Sequence, residues 1–308
     1  MKSLHKQQGA AIIIALFVVS LVSIASLQMM LRLNNNMDRT ALMLNTSQNR
    51  YYVDGSVAWG MEQLNNNWKM KKKNQLVDLL PIQIKNSMGN TLIISRIDDA
   101  QGFFNLNNLT DTKSATDFAR LIHAVQPKID FKTATTLASC VVDWITNNNN
   151  YLENNSYYLT QDEPYRQPHR LMASMSELAL VKGFNLTLFN LLKPFIIALP
   201  ESTLININSA KAAVFMSLSD TLSYDSAKNI LLHRMHAPFI STQQFMQLDI
   251  IKNNPIPEDK ITVLSEYFLI TTILKTAGHE STFYTLIKRT FKNNQPIETI
   301  LNQSKESL

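Results

Sequence analysis

Hydrophobic and polar positions follow different periods along this chain, and the first block has no polar period at all. From Ala10 to Leu31 runs a 22-residue stretch, AAIIIALFVVSLVSIASLQMML, without a charge. It is long enough to cross a bilayer as one helix, which takes about 20 apolar residues. Beyond it Leu33, Met37, Ala41 and Leu44 recur at three- and four-residue spacing, and Val57, Met61 and Leu64 resume the pattern, as on a helix with one apolar face. No proline interrupts positions 1 to 80. The pattern predicts one helix from Ala10 to about Leu64, roughly 80 Å long at 1.5 Å per residue. Its first half spans the membrane; its second half must pack on something.

The period then changes. Residues 81–85 and 91–97 are β-rich and flank the turn-rich Asn86-Ser87-Met88-Gly89-Asn90, which predicts a hairpin. Two more β-rich stretches, Tyr267 to Leu274 and Thr282 to Lys288, flank Thr276-Ala277-Gly278-His279. Everything between the two pairs reads helical. A small antiparallel sheet packed on the long helix, split by a helical insertion, accounts for this order. The competing reading is a separate C-terminal β domain, but about 40 residues is little to stand alone.

The insertion carries a weak internal repeat. Phe104-Asn105-Leu106-Asn107-Asn108-Leu109 resembles Ile205-Asn206-Ile207-Asn208-Ser209-Ala210. Each precedes an apolar helix, Phe118 to Val125 and Val214 to Leu218. A second helix then opens at Asp130-Phe131-Lys132-Thr133-Ala134 and at Ser223-Tyr224-Asp225-Ser226-Ala227. Polar side chains there suit the free N–H groups of a helix start.

Composition fits a tethered, exported protein. Of 308 residues, 45% are hydrophobic and 17% charged, enough for one large or two modest domains. Lys2 and Lys6 precede the apolar run, which places the N-terminus in the cytoplasm and the rest of the chain outside, in the periplasm of a Gram-negative cell. A cleaved signal peptide ending near Ser23-Ile24-Ala25 competes, but the run exceeds the usual apolar core of about 7–15 residues. The net charge of +5 comes partly from Lys69, Lys71, Lys72 and Lys73, read as a solvated helix end. Cys140 is alone, so no intramolecular disulfide forms; its apolar neighbours mark a buried small hydrophobe.

Lys6-Gln7-Gln8-Gly9, followed at once by the apolar helix, resembles the cleavage site of type IV pilin-like proteins. There a prepilin peptidase cuts after the glycine and methylates the new N-terminus, which makes Gly9 the last leader residue and Ala10 the first mature one. Most pilins carry a glutamate five residues into the mature chain; Ile14 stands there instead. The branch that lacks it by rule is the minor pseudopilin K family of type II secretion (general secretion pathway protein K). Further segments resemble that family in order: Ile97 through Leu109, with an Asp, a Gly and an N-L-N core; Val142-Asp143-Trp144-Ile145; Glu163-Pro164-Tyr165; and Ser176-Glu177-Leu178-Ala179-Leu180-Val181-Lys182-Gly183. Leu199-Pro200 with Ile205 to Ala210, Pro238-Phe239 with Phe245, and Leu264 to Phe268 complete the series.

The resemblance implies an α+β, type IV pilin-like fold: a long N-terminal helix packed on a small antiparallel sheet, with a large all-α, SAM-like domain inserted in the sheet. The expected divisions are a leader 1–9, a transmembrane helix 10–31, a first part of the body 32–102, a helical insertion 103–258 with two repeats, and a second part 259–308 with the last strands and a tail. It also implies a minor pseudopilin of the inner membrane, single-pass, at the tip of a periplasmic pseudopilus. Its partners there are minor pseudopilins I and J and the prepilin peptidase, with the secretin or secreted cargo beyond, and its role is to start fibre assembly. The missing glutamate fits: a topmost subunit offers it no amine above, and an unpaired charge in the membrane is costly. Leu33, Met37, Ala41 and Leu44 are the expected partner-binding face.

Nothing in the sequence demands catalysis. There is no Gly-rich phosphate loop, nucleophile elbow or H-E-x-x-H. His233 and His236 share a helix face but read as surface residues, and Trp59, Trp68 and Trp144 show no grouping. Calcium is the one candidate ion. Between Lys132 and Arg166 there is no basic residue, whereas Asp143, Glu153, Asp162 and Glu163 occur with Asn147 to Asn150, and calcium takes six to eight oxygens. The family's calcium loop follows Asp-Trp-Ile and is rich in Asp; here much of that acid is Asn. The rival function is a membrane-anchored helix-hairpin-helix DNA-binding protein of an uptake system, suggested by I-N-I-N-S-A. Such hairpins hold phosphate through glycine amides, yet no glycine lies between Gly183 and Gly278 and the hairpin reads Leu218-Ser219-Asp220-Thr221-Leu222. Nucleic acid is therefore not an expected partner.

Overall fold

The computed structural model describes residues 4–74, 80–146, 157–276, 278–293 and 295–306. Contacts divide the chain into two compact units, residues 1–55 and 56–308. A single helix, α1, runs from Leu4 to Asn74. In the first unit every described side chain from Ala11 to Leu44 is exposed, and α1 is the one described helix long and apolar enough to cross a membrane. In the second unit Ser56, Val57, Gly60 and Leu64 form a buried stripe on α1, the spacing that puts side chains on one helix face. The helix was expected to end near Leu64 and continues instead for ten residues. Tertiary contacts hold that extension: Arg289 Nη2 donates to the Leu64 carbonyl at 2.9 Å, and Trp68 packs on Phe291 with ring centres 4.7 Å apart.

Strands β1 (Ile82–Met88) and β2 (Thr91–Asp99) form the predicted hairpin. Its turn is tighter than expected, two residues rather than five, because Gly89 supplies φ +57°, which suits a two-residue hairpin loop. The chain then leaves the sheet until residue 267. On the way it forms β3 (Phe104–Asn105), α2 (Thr112–Val125), α3 (Phe131–Ile145), α4 (Leu186–Leu192) and β4 (Ile196–Ile197). There follow β5 (Ile205–Asn206), α5 (Ala212–Ser217), α6 (Tyr224–His236) and β6 (Ile261–Thr262). β3 pairs with β4 and β5 with β6, both parallel, short pairings that no periodicity announced.

The chain rejoins the sheet as β7 (Tyr267–Thr276), β8 (His279–Lys292) and β9 (Gln295–Lys305). The order is β1-β2-β7-β8-β9, antiparallel throughout, with Ile97 opposite Ile270 and Asp99 opposite Phe268. β8 is longer than the expected 282–288. β9 was expected as a tail and is a strand, with a register shift against β8 at Leu286/Ile287.

The sheet buries both faces in part. Phe268 and Ile270 of β7 meet Leu64, Ile97 and Ile287 on the α1 side. The alternate residues Tyr267 and Leu269, with Leu286, join a core that contains Phe118, Trp144, Phe215 and Phe239 of the helical segment. This is the period-two alternation of a strand, and each large apolar side chain fully buried this way contributes about 1.5–3 kcal/mol.

Candidate functional site

The helix α1 carries both the expected processing residues and the expected partner face. Gly9 and Ala10 lie within α1, whose described part begins at Leu4. Ile14, in the position of the usual glutamate, is 62% exposed. Leu33, Met37 and Leu44 are likewise exposed, at 51%, 68% and 66%, as is Ala41. Spacings of four, four and three keep the four residues on one face. An apolar stripe of this length in water calls for lipid or protein against it.

The motifs between residues 98 and 268 have another use. Asp99, 4% exposed, sits where β2 leaves the sheet. Its Oδ1 accepts from Gln101 N at 2.9 Å. Its Oδ2 accepts from Asn206 Nδ2 at 2.7 Å, Ser209 Oγ at 2.6 Å and Ser265 Oγ at 2.8 Å. Gln101 donates to the Leu204 carbonyl at 2.9 Å and accepts from Glu266 N at 2.6 Å. One buried carboxylate and one buried amide thus join the outgoing strand, the second N-x-N segment and the returning strand. Sequence reasoning marked Asp99 and Gln101 only as parts of a family segment; two polar residues packed against Ala100, Gly102 and Phe103 were the available signal.

The two N-x-N segments make the same bonds. Asn105 Oδ1 accepts from Asn107 N at 3.1 Å, and Asn206 Oδ1 from Asn208 N at 2.9 Å. The second Asn of each clasps a distant backbone from both sides. Asn107 takes the Met172 N–H at 2.8 Å and donates to the Met172 carbonyl at 2.9 Å; Asn208 does so with Phe239, both at 2.9 Å. Both asparagines hold non-adjacent loops closed. Beside the second clasp, Arg234 donates to the Ile207 carbonyl at 3.0 Å and to that of Ala210. Burial pulls its guanidinium down to about 10, against the opposing pull of Asp99.

The expected calcium ligands are only partly described. Asp143 lies in the last turn of α3, half-buried, while Asp162 and Glu163 are exposed beyond it. Glu153 and Asn147 to Asn150 lie outside the described residues. Among the described residues no three His, Cys, Asp or Glu side chains come together as an ion site. The neighbouring motif residues build a wall instead. Trp144, Tyr158 and Tyr165 pack edge-on or tilted, 5.4–6.2 Å between ring centres, a grouping the sequence did not reveal. Trp144 Nε1 donates to Glu177 Oε2 at 3.3 Å, and Tyr165 to the Leu180 carbonyl at 2.7 Å. Burial pushes the Tyr158 hydroxyl up to about 12.

The remaining candidates are quiet. Cys140 is partly buried, and burial pushes its thiol up, away from reactivity. The ring of His233 stacks on Phe239 at 5.2 Å. At the hairpin between α5 and α6 the Asp220 side chain is 81% exposed, 3.8 Å from Arg120, an acid where a phosphate-binding hairpin needs donors.

Comparison with known proteins agrees with the motif order. Two protein-family models, both described as type II secretion system (T2SS) protein K, match residues 102–201 and 205–263. Among curated relatives, the type II secretion system protein K of Aeromonas hydrophila is 26% identical over 268 residues, 76% of this chain and 78% of its own. That of Klebsiella pneumoniae is 25% identical over 87% of this chain and 88% of its own, and that of Pseudomonas aeruginosa 28% identical over 78% and 76%. A solved chain in the crystal structure of the GspK-GspI-GspJ complex from the enterotoxigenic Escherichia coli Type 2 Secretion System shares the fold. It has a TM-score of 0.72 and 20% identity, over 87% of this chain and 99% of its own.

Proposed function

Because the chain belongs to the type II secretion system protein K family, we propose that it is a minor pseudopilin that caps a periplasmic pseudopilus and starts its assembly. In this reading α1 anchors it once in the inner membrane, with Lys2 and Lys6 in the cytoplasm. A prepilin peptidase removes residues 1–9 and methylates Ala10. The α1 helix and the five-stranded sheet are the pilin-like body, and residues 103–258 are the inserted SAM-like domain. The role is assembly, not catalysis.

The observation that carries the proposal is the uncovered apolar face of α1 together with Ile14. Leu33, Met37, Ala41 and Leu44 need partners, and minor pseudopilins I and J are the ones this reading assigns, since the solved chain of the same fold comes from a GspK-GspI-GspJ complex. A subunit with an isoleucine in place of the glutamate has no carboxylate for the amine of a subunit above it. It therefore occupies the end of the fibre, where it meets the secretin or cargo. The test is co-expression of the chain with the organism's other pseudopilins and isolation of the complex. A stable assembly with two smaller pseudopilins and one copy of this chain supports the tip. Self-polymerisation, or salt-dependent DNA binding without pseudopilin binding, removes it.

Calcium is a subsidiary part of the proposal. With Asp143, Asp162 and Glu163 short of a site by themselves, binding turns on Glu153 and the asparagine-rich segment around it.

A further inference from the structure

A cleft of about 580 Å³ opens between the helical segment and the sheet face turned away from α1, within the range of about 300–1,000 Å³ common to ligand sites. Ile94, Ile273 and Tyr284 of the sheet form its floor; Phe103, Met175 and Ile196 form its wall. Its charged rim is unbalanced. Arg96 is satisfied locally, donating through Nε at 2.9 Å and Nη2 at 2.6 Å to Asp98 Oδ1. That leaves Lys193 and Lys211, and among the described residues no carboxylate forms an ion pair with either.

Lys211 is the more telling of the two. Its ammonium donates to the Pro194 carbonyl at 2.6 Å and lies 5.2 Å and 5.4 Å from the ring centres of Phe103 and Phe195. Burial lowers its pKa. Asp98 on the same rim acts on this ammonium only through space and is itself held by Arg96, so a carboxylate brought directly to Lys211 gains a partly desolvated partner and acts across a lower dielectric than at the open surface. Polar groups interrupt the apolar lining: Gln83 on β1 and Thr271 on β7 stand among the isoleucines. An acyl chain wants an unbroken apolar channel, whereas a peptide backbone needs such donors and acceptors.

We propose that this cleft recognises an extended apolar segment of another protein that carries a carboxylate side chain, with Lys211 as its counter-ion. The site uses no residue of α1, so it stands or falls independently of the pseudopilin-binding face.

The test uses the full chain in lipid nanodiscs, with empty nanodiscs as the blank. Two end-blocked, fluorescein-labelled peptides, Leu-Phe-Asp-Ile-Val and its Asn counterpart, are followed by fluorescence anisotropy. The Asp peptide should bind at least tenfold tighter than the Asn peptide, and the ratio should fall as salt rises. Lys211→Gln, which keeps an N–H donor for the Pro194 carbonyl, should bring both peptides to the same weak affinity without changing the melting temperature. Lys211→Arg should retain the preference. If Lys211→Gln does not fold, Ile273→Gln on the floor must weaken both peptides. Equal affinity for the two peptides, or no binding of either at 1 mM peptide, overturns the proposal. So does Lys211-dependent binding of sodium dodecanoate tighter than that of the Asp peptide, which reassigns the cleft to a small amphiphile.

Discussion

Gly102 and Gly60 each allow a close approach, and they differ in what stands opposite. A Cβ on Gly102 would lie 2.9 Å from the backbone carbonyl of Ser209, and one on Gly60 2.2 Å from Ile270 Cδ1. Backbone cannot move aside as a methyl group can, and Gly60 regains about 1 kcal/mol of helix propensity on becoming Ala. Gly102→Ala should therefore cost the larger part of about 1–3 kcal/mol and Gly60→Ala less, measured by urea denaturation. Asn107→Ala and Asn208→Ala should each cost about 1–3 kcal/mol, because each strands both polar groups of a clasped backbone residue. Calcium is argued at this scale too. If Glu153 completes a site with Asp143, calcium at a hundred times its Kd stabilises by about 2.7 kcal/mol. The melting temperature should then rise with calcium in the native chain and stay flat in Asp143→Asn and Glu153→Gln. No rise at millimolar calcium removes the ion.

Among the elements, α2 was legible only from Phe118, six residues after its start at Thr112, whereas the starts at Asp130 and Ser223 were read from their polar caps. Asp111 is its N-cap, with Ser114 completing a capping box. The Ser114 backbone N–H, and then its hydroxyl, hold the Asp111 carboxyl below its ordinary range. A carboxylate whose pKa falls on folding adds stability present above its unfolded value of about 3.9 and lost as pH drops through the folded value. Asp111→Ala should thus cost about 1 kcal/mol at neutral pH, and the difference from the native chain should shrink as pH falls through the lowered folded value. The end of α1 and β9 were not legible, because both depend on strangers in sequence. Arg289, 1% exposed, joins them: it donates to Leu64 and to Glu298 Oε1 at 3.3 Å. Removing one partner of a buried pair costs about 3–5 kcal/mol. Arg289→Ala should cost that much and speed hydrogen exchange at residues 65–74.

For the whole molecule, the decisive surface is the one that the chain itself leaves uncovered. Met37→Asp with Leu44→Asp should abolish co-isolation with the pseudopilins. The melting temperature of the folded part should stay unchanged, since exposed substitutions usually act within about 0.5 kcal/mol. Gly9→Leu should leave the full-length form in the membrane, as N-terminal sequencing would show. A mature chain beginning at Ser26 would mean a cleaved signal peptide and no pilin processing.

The apolar run, the helical period after it, the hairpin, the β-rich stretches on either side of the insertion and the N-x-N repeat were determined by local sequence, because each depends on spacing or side-chain type within a few residues. The order of family segments was equally legible, and with it the family. Only the tertiary structure decided the rest. β9 has no apolar face to announce it, with Ile297, Ile300 and Leu301 exposed, and exists as a strand because β8 offers an edge. The bonds of Asp99 Oδ2 span 107 to 166 positions, and Lys211 meets its cleft through residues from five strands and the segments between them. Periodicity encodes which face of an element is buried; it carries no information about which distant polar groups will share that burial.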